Sequence, residues 1–171
     1  MKYYKLIILA AFISLSGFNA NAQNSNGLEA SVHLGIPTED IEDAVNLVYG
    51  IDFNYYFINI AEVLNFGFTG GYINFNGDQV LTSESANLAL PDASFLRVGG
   101  LGRINFNANV YLIVDLGYAI GLDDIEGGGF YQPKIGFNSG KFSFFVYYQK
   151  IYTDTRFPNY SSVGLGATYH F

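Results

Sequence analysis

The chain contains no cysteine, which excludes disulfides, thiolate metal sites and a lipidated N-terminal cysteine. Charge is also scarce. Asp, Glu, Lys and Arg make up 13% of the 171 residues, against about a quarter in an ordinary soluble domain. Basic residues are the scarcer sign, 8 against 15 acidic ones, for a formal net charge of −7. A nucleic-acid binder carries a basic face, so nucleic acid is excluded as a partner. Disorder is excluded as well, because disordered chains are poor in aromatics and this one has 14 Tyr and 16 Phe with half of its residues hydrophobic.

Only one long apolar run is present, and it opens the chain. Lys2 and Lys5 form a positive n-region, Leu6 to Leu15 an apolar h-region, and Ala20-Asn21-Ala22 a small-residue cleavage pattern. This layout predicts a secretory signal peptide over residues 1–22, cleaved before Gln23. The run is far shorter than the ~20 residues a spanning helix needs. Residues 23–171 then remain as a single exported domain with no spanning helix, and their length suits one domain.

From Gly27 onward the hydrophobic period is two. Eight alternating segments can be read: Gly27–Gly35, Asn46–Ile58, Leu64–Phe75, Phe95–Phe106, Asn109–Gly121, Phe130–Asn138, Lys141–Lys150 and Ser162–Phe171. Such alternation argues strands with two chemically different faces. One face is bulky and uncharged, as in Val110, Leu112, Val114, Leu116, Tyr118 and Ile120. The other carries Gly, Ser, Asn and a few charges. In a soluble antiparallel sheet the apolar face would point inward. Eight inward stripes of Phe, Tyr and Leu would overfill a lumen that is only wide enough for side chains. The small polar face fills such a lumen well. The apolar face therefore points outward, into lipid, and the segments have the length of tilted transmembrane strands.

The connections alternate in length. Asn59–Val63, Asn107–Ala108 and Ser139–Gly140 are short, while Ile36–Val45, Asn76–Ser94, Leu122–Gly129 and Ile151–Ser161 are long and polar. Short periplasmic turns and longer outer loops are the pattern of outer-membrane barrels. With that topology Tyr49, Tyr72, Tyr118, Tyr131 and Tyr148 lie near the outer ends of the lipid face. Tyr55, Phe57, Phe66, Phe106, Phe142 and Tyr169 lie near its inner ends. These are two aromatic girdles. The expected fold is an all-β, eight-stranded, antiparallel up-and-down transmembrane barrel with a lipid-facing apolar exterior and a side-chain-filled polar lumen.

These residues resemble the small eight-stranded outer-membrane barrel family, of the OmpX and OmpA-barrel type. The most specific match is the C-terminus, where Gly166, Tyr169 and Phe171 are similar to that family's assembly signal, while Gly164 departs from its usually polar first position. The resemblance implies an outer-membrane location, membrane lipid as surroundings, a monomer, and recognition of the last strand by the outer-membrane assembly machinery.

Chemistry is sparse. The lumen-facing charges are Glu29, Asp52 and Asp115 against Arg97, Arg103 and Lys134. Since a buried charge must be paired, these are expected to plug the barrel with ion pairs; a polar conduit is the alternative. A lipid-modifying enzyme would need a serine with a histidine base in reach. Only His33 and His170 are available, with Ser31 two residues from His33 on the same face. Gly99-Gly100-Leu101-Gly102 resembles a phosphate loop, but it lies inside a strand with no helix after it. Asp123-Asp124-Ile125-Glu126 lacks the alternating carboxylates of a calcium loop. No catalytic residue, metal ligand or cofactor is assigned.

The acids do follow a pattern. Glu39, Asp40, Glu42, Asp43, Asp78, Glu84, Asp92, Asp123, Asp124, Glu126 and Asp154, 11 of the 15, fall in the long loops, and Arg156 alone offsets them there. Cationic partners, or divalent ions bridging to anionic glycolipid, would suit such a rim, which also serves solubility. The leading expectation is a non-enzymatic outer-membrane barrel that makes its contacts through these loops. A small-solute pore, a lipid-modifying enzyme and a secreted lipocalin-like carrier are the alternatives.

Overall fold

Among the described residues the chain forms ten strands. They are β1 (Leu28–Thr38), β2 (Val45–Ile60), β3 (Leu64–Gly77), β4 (Gln79–Val80), β5 (Leu88–Ala89), β6 (Ala93–Asn105), β7 (Val110–Gly121), β8 (Gly128–Ser139), β9 (Phe142–Tyr152) and β10 (Tyr160–His170). This computed structural model describes residues 27–42, 44–61, 63–77, 79–80, 88–89, 92–122, 125–153 and 158–171. The expected signal peptide lies outside them, as do Asp43, Asp78, Glu84, Asp123, Asp124, Asp154 and Arg156. Among the described residues no helix is long and apolar enough to cross a membrane.

Eight strands form a closed antiparallel barrel in the order β1-β10-β9-β8-β7-β6-β3-β2. Successive barrel strands are neighbours throughout, and β1 closes on β10 from Glu29 opposite His170 to Thr38 opposite Ser161. β4 and β5 make a separate two-residue ladder. Closure leaves the barrel no free edge, which is what a sheet immersed in hydrocarbon requires.

The faces lie as the alternation predicts. Glu29, Ser31, His33, Asp52, Asn54, Arg97, Asp115, Gln132, Lys134 and Gln149 are buried inside, while Val32, Leu34, Phe68, Val98, Leu116, Ile135, Phe144 and Leu165 are each about half exposed or more on the outside. A soluble protein would hide such a belt. The lipid-facing orientation follows.

Two local departures have clear causes. In β2 the ladder to β3 carries one extra residue at Asn46 and another at Phe57. The second bulge lets Phe57 and Ile58, adjacent in sequence, both face outward, so the strand runs on to Ile60 instead of ending at Ile58. A β-bulge is the device that allows two consecutive side chains to share a face. In β8, the ladder to β9 passes from Tyr131–Lys150 to Lys134–Tyr147 without a pair between them, where Pro133 has no N–H to donate.

Glycine makes room inside. A Cβ at Gly136 would collide with the Tyr111 ring, and one at Gly166 with the Phe145 ring. Each of these large lumenal rings therefore packs against a bare stretch of the neighbouring strand. The filled lumen depends on that pairing of large with absent side chains.

The outward facing of β7 generates a test. Val114→Arg, in the middle of that strand, is expected to cost about 2–4 kcal/mol of stability in lipid. Arg in an outer loop should cost little. Denaturant unfolding in vesicles would measure both, and equal stability of the two variants would show the facing to be wrong.

Candidate functional site

The lumen is stratified. At the long-loop end lies an apolar cluster of Ile41, Val45, Val48, Ile73, Phe75, Ala93, Phe95, Ala119, Phe130 and Ile151. Its centre is a three-ring contact, with Tyr160 5.1 Å from Phe75 and 5.0 Å from Phe95. Ile41 reaches it from the 3-10 turn Glu39–Ile41, so the first loop plugs the barrel mouth. The polar filling expected of the lumen holds for its middle and inner levels, whereas the outer level is hydrophobic.

Below the plug sits an ionic centre. Asp52, on β2, is its hub: one carboxylate oxygen takes the Arg97 guanidinium, and the other lies 3.5 Å from Lys134 Nζ and 3.4 Å from His33 Nδ1. Lys134 also holds Asp115 at 2.6 Å. Arg97 further donates to the Gln132 carbonyl at 2.9 Å and to that of Gln149. All of these side chains are buried. Arg97 stacks over Phe130 at 5.4 Å, which joins the ionic centre to the plug above it. The partner of Asp115 is thus Lys134 from the strand beside it, and the two arginines of β6 bind elsewhere.

A second apolar layer follows, made of Tyr56, Leu101, Tyr111 and Ile113. Beneath it, at the short-turn end, five strands contribute to a closed ring of hydrogen bonds. Arg103 donates through Nη1 to Glu29 at 2.9 Å and through Nη2 to Asn138 Oδ1 at 2.9 Å. Ser143 donates to the same Asn138 oxygen at 2.8 Å. His170 Nε2 lies 2.5 Å from Ser143 Oγ, and His170 Nδ1 lies 3.0 Å from Glu29 Oε1. Glu29 and Arg103 were identifiable in the sequence. Ser143 and His170 were legible only as inward-facing residues, because nothing in the spacing shows that they meet.

The order Ser143–His170–Glu29 matches nucleophile, base and acid in reach of one another. Ser143 is, however, fully buried, and its hydroxyl donates to the same Asn138 oxygen that accepts from Arg103. Ser31 and His33 do not pair with each other. Ser31 bonds Thr168 at 2.9 Å, and His33 faces Asp52 and the Tyr147 ring, 5.0 Å away.

At the outer rim Glu39 is not a free acid. Lys150 and Tyr148 both donate to its carboxylate, and the Lys150 bond first, then that of Tyr148, holds its pKa below the ordinary value. The contact is therefore intact at neutral pH and is lost only as pH falls through that lowered value. Asp40 accepts from Asn159 at 3.4 Å; Glu42 and Glu126 lie on the loops. Asp43, Asp123 and Asp124 are outside the described residues. Among the described residues no three His, Cys, Asp or Glu side chains come together in a way that would hold a metal ion. On the last strand Gly166 faces the lumen beneath Phe145, and the Tyr169 and Phe171 rings meet edge to face at 5.0 Å.

No protein-family model matches the chain, and no curated protein matches it. Solved structures do. A de novo designed transmembrane β-barrel superposes with a TM-score of 0.53 at 15% identity, covering 87% of this chain and 98% of its own. The attachment invasion locus protein Ail of Yersinia pestis, solved in complex with the heparin analogue sucrose octasulfate, gives 0.55 at 18% identity, over 85% of this chain and 99% of its own. The outer membrane enzyme PagL gives 0.60 at 10% identity, over 84% and 99%. The fold is thus that of the small transmembrane barrels. A designed barrel, a surface protein and an enzyme share it, so the fold carries no activity by itself.

Removing the hub of the ionic centre should be costly. Asp52→Ala leaves Arg97 and Lys134 without their shared partner and is expected to destabilise the barrel by about 3–5 kcal/mol. Purified wild type in planar bilayers should show no sustained conductance through the stacked layers. Unfolding titrations and single-channel recordings check the two outcomes; steady current steps would restore the pore reading.

Proposed function

We propose that the chain is an integral outer-membrane protein of the OmpX-like type, exported by residues 1–22 and acting through its outer loops. One observation supports this above the rest: a barrel with an apolar exterior has its lumen occupied by alternating apolar and ion-paired layers. Transport through such a lumen, and catalysis at the Ser143–His170–Glu29 ring, both require groups that are already committed to each other. What is left for recognition is the loop end. Loops on a rigid scaffold are where binding residues concentrate.

The charge of that end selects the partner class. The Ail structure was solved with a sulfated polyanion; here 11 of the 15 acids lie in the long loops. Lys150 neutralises Glu39, and the remaining acids suit a cationic protein surface, or a divalent ion that bridges them to anionic glycolipid. A polyanion of the kind bound by Ail would be repelled. A secreted lipocalin-like carrier is disfavoured by the half-exposed apolar belt, since that belt would meet water.

Surface biotinylation of loop residues in intact cells, coupled to a pull-down, tests location and partner together. Exposed charge contacts weaken as the Debye length falls from ~10 Å at 0.1 M salt to ~3 Å at 1 M, so capture of a cationic partner should drop at high salt. Neutralising Asp40, Glu42 and Asp43 together should weaken it without changing barrel stability. Binding that survives both changes would point to an apolar contact instead, at Ile36, Leu88, Leu90 or Phe157.

A further inference from the structure

The outer face of the last strand does not determine where that strand stops against the first. A one-residue slip would turn every side chain to the wrong face. A two-residue slip would not. Val163, Leu165, Ala167 and Tyr169 are all apolar, so lipid accepts any of them at any of these outward positions. The information that closes the barrel in one register has to face inward.

It does so at the inner mouth. Glu29 stands opposite His170 and Ser31 opposite Thr168, and both pairs are joined by their side chains, at 3.0 Å and 2.9 Å. His170 is aimed at Glu29 from behind, because Ser143 on β9 holds its other nitrogen. Arg103, from β6, holds the same Glu29 oxygen at 2.9 Å. Three strands and one cross-lumen arginine thus converge on a single carboxylate at the start of β1.

We propose that the Glu29–His170 clasp, oriented by Ser143 and seconded by Ser31–Thr168, is the register lock that lets β10 close on β1 at one offset only. This rests on the reading of the chain as a membrane barrel. Sliding β10 by two residues along β1 in one direction puts His170 opposite Ser31 and Thr168 opposite His33. In the other it puts Thr168 opposite Glu29 and Gly166 opposite Ser31. Either way the imidazole leaves Glu29, the Ser31–Thr168 bond is broken, and buried polar groups lose their partners. Breaking a buried pair in this way is strongly unfavourable. His170 and Ser143 are positioning residues of assembly in this scheme, acting on the lumen side of the same strand whose outward Tyr169 and Phe171 resemble an assembly signal.

The absence of cysteine makes the test clean. Val32 and Ala167 are register partners on the outer face. Directly opposed Cα atoms lie about 4.5–5.5 Å apart, within disulfide reach, whereas positions offset by two lie at about 7–8 Å, beyond it. Three double-cysteine chains, Val32→Cys with Ala167→Cys, with Leu165→Cys or with Tyr169→Cys, therefore report the native register and the two slipped ones. Oxidation is scored on full-length chain inserting into lipid vesicles, so no variant has to reach full folding yield.

In the otherwise unchanged chain only the Val32–Ala167 bond should form. Adding Glu29→Ala and His170→Ala should raise the slipped products at least about tenfold, the factor that 1.4 kcal/mol represents. His170→Gln, which fills the site without the ring that joins Glu29 to Ser143, should raise them by less, and it decides the matter if the double variant inserts too poorly to read. Variants that insert and still form only the Val32–Ala167 bond would overturn the lock. Failure of that bond in the unchanged background would overturn the closed barrel itself, and the lock with it.

Discussion

Hydrocarbon offers no hydrogen-bond partner, and every other feature of this molecule follows from that. Each backbone N–H and C=O must be satisfied by the sheet itself, so the strands close into a ring with no edge. The same solvent reverses the usual sorting of side chains. Leu, Val and Phe go outward because lipid accepts them, and the lumen receives what lipid rejects. A small lumen cannot hydrate those groups freely, so they must satisfy one another. The ionic centre around Asp52 and the ring at Glu29 are two places where this is done, and each joins strands that are not neighbours in the wall.

The layers between and above them are equally informative. An apolar cluster at the outer mouth and a second one built on Tyr56 and Tyr111 separate the charges into two compartments. Low-dielectric layers strengthen the pairing on either side. The arginines bridge the compartments by their flat faces: Arg97 lies over Phe130, and Arg103 lies 4.1 Å from the centre of the Tyr111 ring. A guanidinium can stack and donate at the same time, which explains why arginine sits at both boundaries while lysine sits between two carboxylates.

Strand number, facing and loop order were legible in the residues because period two is a local signal and lipid leaves little tolerance for error. The bulge at Phe57 was partly legible: two adjacent apolar residues in an alternating strand already conflict with simple pleating. The apolar plug was not. Phe75 and Phe95 stand at inward positions beside polar neighbours, and only the closing of the barrel shows that they meet Tyr160 and Ile41. Among the charges, composition identified the set but not the pairing. Asp115 with Lys134 follows from strand adjacency, whereas Asp52 with Lys134 and Glu29 with Arg103 cross the lumen, and no one-dimensional pattern encodes a diameter. Ser143 and His170 lie on the neighbouring strands β9 and β10, but the long connection between those strands leaves their register open in the sequence.

These two kinds of information separate two tasks of one chain. The outward face is degenerate: apolar residues substitute for one another there, as a designed barrel with 15% identity and the same architecture illustrates. The inward face is specific, since its charged groups are paired at fixed heights. Degenerate exteriors tell a membrane that a barrel has arrived; they do not tell one strand where to stop against another. On the proposed reading the lumenal charges serve that second task as the molecule's own keyway, and the loops beyond the plug are left free to vary with whatever they meet.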